Sequence, residues 1–100
     1  MAKHSIGAAD NFPVNSGVCV EIEGRRIAVF NTTGQYYAVD DTCPHRGASL
    51  SEGPMQGMSV VCPWHGAEVD VRTGDCGPPS PGPVNTYDIS SSGEELFIDV

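Results

Sequence analysis

The sequence predicts an all-β, antiparallel fold with a smaller metal-binding lobe inserted into it. The 100-residue chain contains twelve glycines and eight prolines, a composition that suits short strands joined by tight turns. Several short segments alternate apolar and polar side chains, whereas no sustained helical periodicity is present. Two similar motifs of cysteine and histidine interrupt the strands near the middle of the chain and mark the inserted lobe.

Three strands are expected before the first motif. Residues 18–23 alternate, so that three aliphatic side chains face one way while Cys19 and two glutamates face the other. A turn at Gly24 leads to a return strand at 25–30. A polar turn then leads to a third strand at 35–39, which completes a meander.

The second half of the chain predicts shorter strands. Two are expected at 59–61 and 67–69, on either side of the second motif. A loop with four prolines in seven residues follows and excludes regular structure, because proline fixes φ and removes an amide donor. The last two strands are expected at 84–89 and 95–100, around a turn of three serines and a glycine at 90–93.

The two motifs are Cys-Pro-His-Arg-Gly at 43–47 and Cys-Pro-Trp-His-Gly at 62–66. Each offers one thiolate and one imidazole, so the chain presents four candidate ligands, Cys43, His45, Cys62 and His65. This set is compatible with structural zinc or with a [2Fe–2S] cluster bound by two cysteines and two histidines. Each motif brings one residue of each type, so two similar loops can clasp a dinuclear cluster from opposite sides, which favours iron.

The motif pair resembles that of the Rieske family, and the likeness covers roughly residues 17–100. Within the family, the chain is similar to the small soluble ferredoxins that serve bacterial aromatic-ring oxygenases. It lacks the extra cysteine pair of the respiratory Rieske proteins, because Ala48 and Trp64 stand at the matching positions. It also lacks their serine and tyrosine, whose hydroxyls donate to cluster sulfurs, because the matching residues are Ala67 and Val69. The resemblance therefore implies a low-potential cluster.

The resemblance implies an antiparallel Rieske-like β-sandwich, formed as one domain over residues 1–100 with the cluster-binding lobe at about 40–71. It implies one Rieske-type [2Fe–2S] cluster held by the four candidate ligands. It also implies a one-electron carrier between an NAD(P)H-dependent flavin reductase and a terminal aromatic-ring oxygenase. Two alternatives stay open: a small Rieske subunit of a multi-subunit oxidoreductase such as nitrite reductase, and a zinc-stabilised interaction module.

Charge and hydropathy narrow the expected partners and location. The net charge is −8, with five lysines and arginines, which disfavours nucleic acid and anionic membranes as partners. The sequence contains no apolar run of about 18 residues that could span a membrane, and its N-terminus has no apolar segment typical of a signal peptide. We therefore expect a cytoplasmic monomer, in which thiols serve metals rather than disulfides.

An enzymatic role is not expected. A Rieske oxygenase needs a second, mononuclear iron site with two histidines and a carboxylate, and His4 is the one histidine left once the cluster has taken two.

The remaining cysteines are not expected to bind the cluster. Cys19 is expected to be a plain thiol and Cys76 a packing residue, with a disulfide between them or cluster ligation by Cys76 as alternatives. Glu52 and Glu68 are the acidic residues expected beside the contact tip, which consists of His45, Arg46, Trp64 and His65.

Overall fold

The computed structural model describes residues 3–42, 49–63, 68–76 and 83–100. Three of the predicted ligands, Cys43, His45 and His65, lie outside these ranges. Among the described residues, the regular elements are strands and two 3₁₀ turns, Ala9–Asn11 and Leu50–Glu52, and no helix is long and apolar enough to cross a membrane. The strands are β1 (Lys3–Ala8), β2 (Ser16–Ile22), β3 (Arg25–Asn31), β4 (Tyr36–Asp40), β5 (Met55–Gln56), β6 (Ser59–Val61), β7 (Glu68–Asp70), β8 (Thr86–Ser92) and β9 (Glu95–Asp99).

Six strands form one antiparallel sheet in the order β1-β9-β8-β4-β3-β2. Strands β2 and β3 form a tight hairpin that is in register along both strands. Its turn residues, Glu23 and Gly24, have φ of 50° and 80°. Two successive left-handed residues make the type I′ turn whose twist matches that of the flanking strands. Strand β8 returns to pair with β4 and closes the sheet across the inserted residues.

From Ile27 to its end, strand β3 is buried on both faces and separates two cores. Successive residues of a strand point to opposite faces, so Ala28 and Phe30 face the inserted lobe while Ile27 and Val29 face the other way. The lobe-side core consists of Ala28, Phe30, Val39, Leu50, Val60, Cys62, Val69, Val71 and Val84. The sheet-side core consists of Phe12, Ile27, Val29, Ala38, Leu96 and Ile98.

A second antiparallel sheet, in the order β5-β6-β7, is inserted between β4 and β8, where the sequence predicts the lobe. Val60 on β6 and Val69 on β7 lie opposite each other and both pack in the lobe-side core. The 3₁₀ turn after the first motif adds Leu50 to the same core. Burial of apolar surface, the main favourable term in folding, therefore holds the lobe against the face of β3 that carries Ala28 and Phe30.

The antiparallel all-β prediction is confirmed, and so are the two faces of the strand predicted at 18–23. Its three aliphatic residues pack against the sheet-side core, while Cys19 and Glu21 are exposed.

Two features of the large sheet differ from the prediction. The sequence does not predict β1, which has no clear alternation and is a strand because β9 pairs with it along its length. The turn expected at 90–93 begins only at Gly93, because the three preceding serines pair with β9. In both places, pairing with a distant strand outweighs the weak preference of the local sequence.

Candidate metal centre

The first motif lies in a connection whose two ends the structure holds together. Thr42 and Ser49 form an antiparallel bridge on either side of residues 43–48. The amide of Leu50 donates to the carbonyl oxygen of Asp41 at 2.7 Å. The predicted ligands of this motif lie within the bracketed segment and outside the described ranges.

The second motif lies in the connection between β6 and β7. Val61 and Glu68 are paired where this hairpin begins, so residues 62–67 connect the two strands. Cys62, the first residue after β6, is 1% exposed and packs in the lobe-side core. Of the four predicted ligands, Cys62 is the one that lies within the described ranges, whereas His65 of the same motif lies outside them.

The lobe-side core contains one described residue next to each motif. Leu50, which follows the first motif, and Cys62, which begins the second, are both buried in it. Gly53 allows this close packing, because a Cβ added there would lie 2.0 Å from the carbonyl oxygen of Val61 on β6. The end of the first connection and the start of the second therefore belong to one packed unit.

The surroundings of Cys62 fit a ligand of an iron–sulfur cluster. The residue belongs to a cluster of buried apolar side chains, and an apolar shell is one of the means by which proteins control the solvent access and potential of a cluster. Among the described residues, no group of three or more histidine, cysteine, aspartate or glutamate side chains is placed to hold a metal ion.

Cys76 is half-buried at the edge of the same core. It forms an isolated backbone bridge with Val69, and its sulfur lies 3.6 Å from the carbonyl oxygen of Gly74. Cys19 is an exposed thiol on β2. Neither thiol is in a disulfide, which contradicts the disulfide alternative and agrees with a packing role for Cys76.

Sequence reasoning missed one residue beside the first motif, the buried carboxylate of Asp41. It accepts hydrogen bonds from the Ser49 hydroxyl and the Ser51 amide, and Arg26 lies close to it. Burial opposes ionisation, but these hydrogen bonds and the guanidinium outweigh it, so the pKa of Asp41 is lowered. The signal that could have found it is an aspartate just before the motif together with two serines just after it.

Exposed acidic residues border the two connections. Glu52 at the end of the second 3₁₀ turn and Glu68 at the start of β7 are both exposed. Asp70 is instead paired with Arg72 through side-chain hydrogen bonds of 2.9 and 3.1 Å, and these bonds lower the pKa of Asp70. Glu52 and Glu68 are therefore exposed carboxylates close in sequence to the two motifs, whose predicted contact residues lie outside the described ranges.

One family of known proteins matches most of the chain: the Rieske [2Fe-2S] domain, over residues 2–88. The chain belongs to the Rieske family. A Rieske domain implies one Rieske-type [2Fe–2S] cluster, so the cofactor predicted from the two motifs is confirmed.

Among Rieske proteins, the chain is similar to ferredoxins of aromatic dioxygenase systems. It is 38% identical over 79 residues to the ferredoxin component of the p-cumate 2,3-dioxygenase system of Pseudomonas putida, covering 77% of this chain and 67% of that protein. The ferredoxin of carbazole 1,9a-dioxygenase from Nocardioides aromaticivorans has a TM-score of 0.92 at 25% identity, over 98% of this chain and 97% of that one. A chain from a complex of oxygenase and ferredoxin in carbazole 1,9a-dioxygenase has a TM-score of 0.89 at 31% identity, over 96% and 91%.

A chain from Mycobacterium tuberculosis described as a nitrite reductase small subunit also superposes, with a TM-score of 0.88 over 97% of this chain and 93% of that one. At 22% identity, this likeness shows the fold alone. The resemblance to oxygenase ferredoxins is therefore confirmed by sequence as well as by fold, whereas the nitrite reductase alternative is supported by fold only.

Proposed function

We propose that this protein is a one-electron carrier that passes electrons from an NAD(P)H-dependent flavin reductase to a terminal aromatic-ring oxygenase. The observation that carries the proposal is the 38% identity to a dioxygenase ferredoxin component. The burial of Leu50, just after the first motif, and of Cys62, at the start of the second, in the same lobe-side core supports it. The cluster supplies, when bound, a centre that gains and loses one electron.

We assign the cluster to Cys43, His45, Cys62 and His65, two ligands from each motif. The burial of Cys62 supports its assignment as a ligand, because the apolar residues of the same core limit the access of water to its sulfur. We further propose that the two histidines carry the electron to and from partner proteins. The chain is proposed to form one domain over residues 1–100, with the cluster-binding lobe at about 40–71.

A substrate site is not part of this proposal. His4 lies on β1, where its Nε2 is 3.4 Å from Oε2 of Glu23, and no further histidine is present outside the two motifs. Within the described ranges, no set of residues is arranged as a mononuclear iron site. The chain is therefore proposed to transfer electrons without transforming a substrate of its own.

The proposed oxygenase partner is supported by the solved complex of oxygenase and ferredoxin in carbazole 1,9a-dioxygenase. The flavin reductase, the monomeric state and the cytoplasmic location belong to the same proposal. A net charge of −8 draws the protein towards basic surfaces, and transient redox complexes bury less than about 1,200 Å² in total. Glu52 and Glu68 are proposed to border that contact.

The cofactor content of the purified protein tests the assignment. We expect two irons and two acid-labile sulfides per chain, and the EPR signal of an imidazole-ligated [2Fe–2S] cluster after reduction. Alanine at any one of the four ligand positions should destroy or strongly destabilise the cluster, whereas Cys19→Ala on exposed β2 should not. Stoichiometric zinc without sulfide would contradict the cluster, and full cluster content in one variant would remove that residue from the ligand set.

A reconstituted electron-transfer assay tests the carrier role. The protein, purified alone as a monomer, should be reduced by NAD(P)H only when a flavin reductase of an aromatic dioxygenase system is present. The matching oxygenase should then reoxidise it with formation of product. Stoichiometric co-purification with a nitrite reductase catalytic subunit, and no reduction as a free protein, would instead favour the subunit alternative.

A further inference from the structure

Asp41 is a charged residue that is almost completely buried, with 1% of its surface exposed. Full burial is unusual for aspartate unless the charge is paired, because removing a carboxylate from water is costly. Asp41 belongs to neither metal motif and lies in the short stretch between β4 and the first motif. Its described partners come from two places, β3 and the segment 49–51.

The groups that approach the Asp41 carboxylate come from Ser49, Ser51 and Arg26. Oδ1 accepts the amide of Ser51 at 2.8 Å. Oδ2 accepts a hydrogen bond from the hydroxyl of Ser49 and lies 3.5 Å from Nη2 of Arg26. The same Nη2 donates to the Ser49 oxygen at 3.2 Å. Arg26, Asp41 and Ser49 therefore form a closed triangle of contacts.

These contacts join the start of the first motif connection to its end. Asp41 precedes residues 43–48, and its serine partners follow them. Two backbone bonds act in the same way, since Asp41 accepts from the Leu50 amide at 2.7 Å and donates to the carbonyl oxygen of Arg26 at 3.0 Å. One residue thus joins the two flanks of the segment 43–48 with both its side chain and its main chain, and its amide bonds them to β3.

The same arrangement links the residues after the first motif to Cys62 of the second. Leu50 lies within the segment that Asp41 holds, and it packs in the lobe-side core with Cys62. An asparagine at position 41 would have nearly the same size. However, its amide nitrogen cannot accept a hydrogen bond, so Ser49 or Ser51 would lose its acceptor, and Arg26 would lose its counter-ion.

We propose that Asp41 is a positioning residue for the cluster: it clasps residues 49–51 to the end of β4 and so fixes the two flanks of the segment that carries the predicted ligands Cys43 and His45. This inference rests on the ligand assignment made under the proposed function. Arg26 acts through Asp41 by orienting its carboxylate. Because the Arg26 side chain is 55% exposed, it can be replaced without opening the core.

The test compares Asp41→Asn with two control variants in the cluster-loaded protein. Asp70→Asn removes the charge of another aspartate–arginine pair, in which Arg72 is two residues away and no motif connection is closed. Ile98→Val removes a methylene-sized volume from the sheet-side core, on the opposite face of β3, and reports general destabilisation. The readouts are the half-life of the visible absorbance of the cluster in excess chelator and the EPR linewidths after reduction.

We expect Asp41→Asn to shorten the cluster half-life about tenfold or more, the scale on which groups that orient metal ligands act, with both controls within about threefold of wild type. The EPR lines should broaden in Asp41→Asn, and not in the controls, because the geometry at the cluster becomes less uniform. Arg26→Gln should produce a smaller change of the same kind.

A half-life and linewidths like those of wild type in Asp41→Asn, or changes matched by Ile98→Val, would overturn the proposal. If Asp41→Asn does not fold, Ser49→Ala decides, because it removes one donor and leaves the backbone clasp intact. An unchanged half-life in that variant would also overturn the proposal. Failure of the ligand assignment is a separate result, recognised by full cluster content in Cys43→Ala or His45→Ala.

Discussion

Gly53 provides a test of how closely the lobe packs around Cys62. It follows the second 3₁₀ turn with φ −82° and ψ 155°, an extended conformation that alanine adopts without strain. A Cβ at this position would lie 2.0 Å from the carbonyl oxygen of Val61 and 3.2 Å from Cγ2 of Val60. Because the nearest obstacle is backbone, β6 or the 3₁₀ turn must move by roughly 1 Å or more to restore ordinary van der Waals contact.

The expected cost of Gly53→Ala follows from two contributions. Overpacking of this kind costs about 1–3 kcal/mol. The Val61 amide donates to the carbonyl oxygen of Pro54 at 2.9 Å, and losing that bond would add about 1 kcal/mol. Since 1 kcal/mol corresponds to about 4–8 °C for a domain of this size, we expect the unfolding midpoint to fall by roughly 10 °C or more. The cluster should also be lost faster, because Cys62 directly follows Val61.

Circular dichroism during heating of the cluster-loaded protein, at one scan rate, measures the midpoint. Gly57→Asn in the turn between β5 and β6 is the matched control, because a Cβ there meets nothing within 4 Å and its φ of 62° is one that asparagine tolerates. We expect this control to stay within about 0.5 kcal/mol of wild type, as most surface substitutions do. If the unfolding midpoint of Gly53→Ala were as close to that of wild type as the midpoint of this control, the close approach of Gly53 to β6 would be refuted.

Three further predictions concern the potential, the docking and the pH dependence. The potential should lie near the low end of the Rieske range of about −150 to +300 mV, because Ala67 and the buried Val69 offer no hydroxyl to the cluster. Ala67→Ser should raise it, and a wild-type value above about +100 mV in a voltammetric titration would contradict this reasoning. The rate at which the reductase reduces this protein should fall as the salt concentration rises, since electrostatic steering is screened over about 10 Å at 0.1 M salt. Glu52→Gln and Glu68→Gln should lower that rate at low salt. A rate that changes neither with salt nor in these variants would exclude electrostatic docking. The lowered pKa of Asp70, caused by its hydrogen bonds with Arg72, stabilises the fold above its unfolded pKa of about 4 and is lost as the pH falls through the lower folded value. The difference in unfolding midpoint between wild type and Asp70→Asn should therefore shrink below about pH 4, and a difference that grows in acid would reverse the assigned sign.

The sequence by itself determined the cofactor class and the central strands. Each of the motifs at 43–47 and 62–66 contains one cysteine and one histidine within a few residues of each other. This local information is enough to predict the cluster. The family match agrees with it, while the individual ligands stay a prediction. Strands β2 to β4 were equally readable, because alternating side chains and short turns are local patterns and neighbouring strands pair through them.

Only the tertiary structure decided the features that depend on a distant partner. Strand β1 and the serines at the end of β8 are strands because β9 supplies their hydrogen bonds, and their own side chains carry little sign of it. Asp41 looks like an ordinary polar residue before a loop, and its role emerges when Arg26 and Ser49 surround it. Gly53 could be any turn glycine until β6 is seen to approach it. Local pattern specifies the side chains that a segment offers, but burial, pairing and close approach are properties of two segments at once, so one segment alone cannot reveal them.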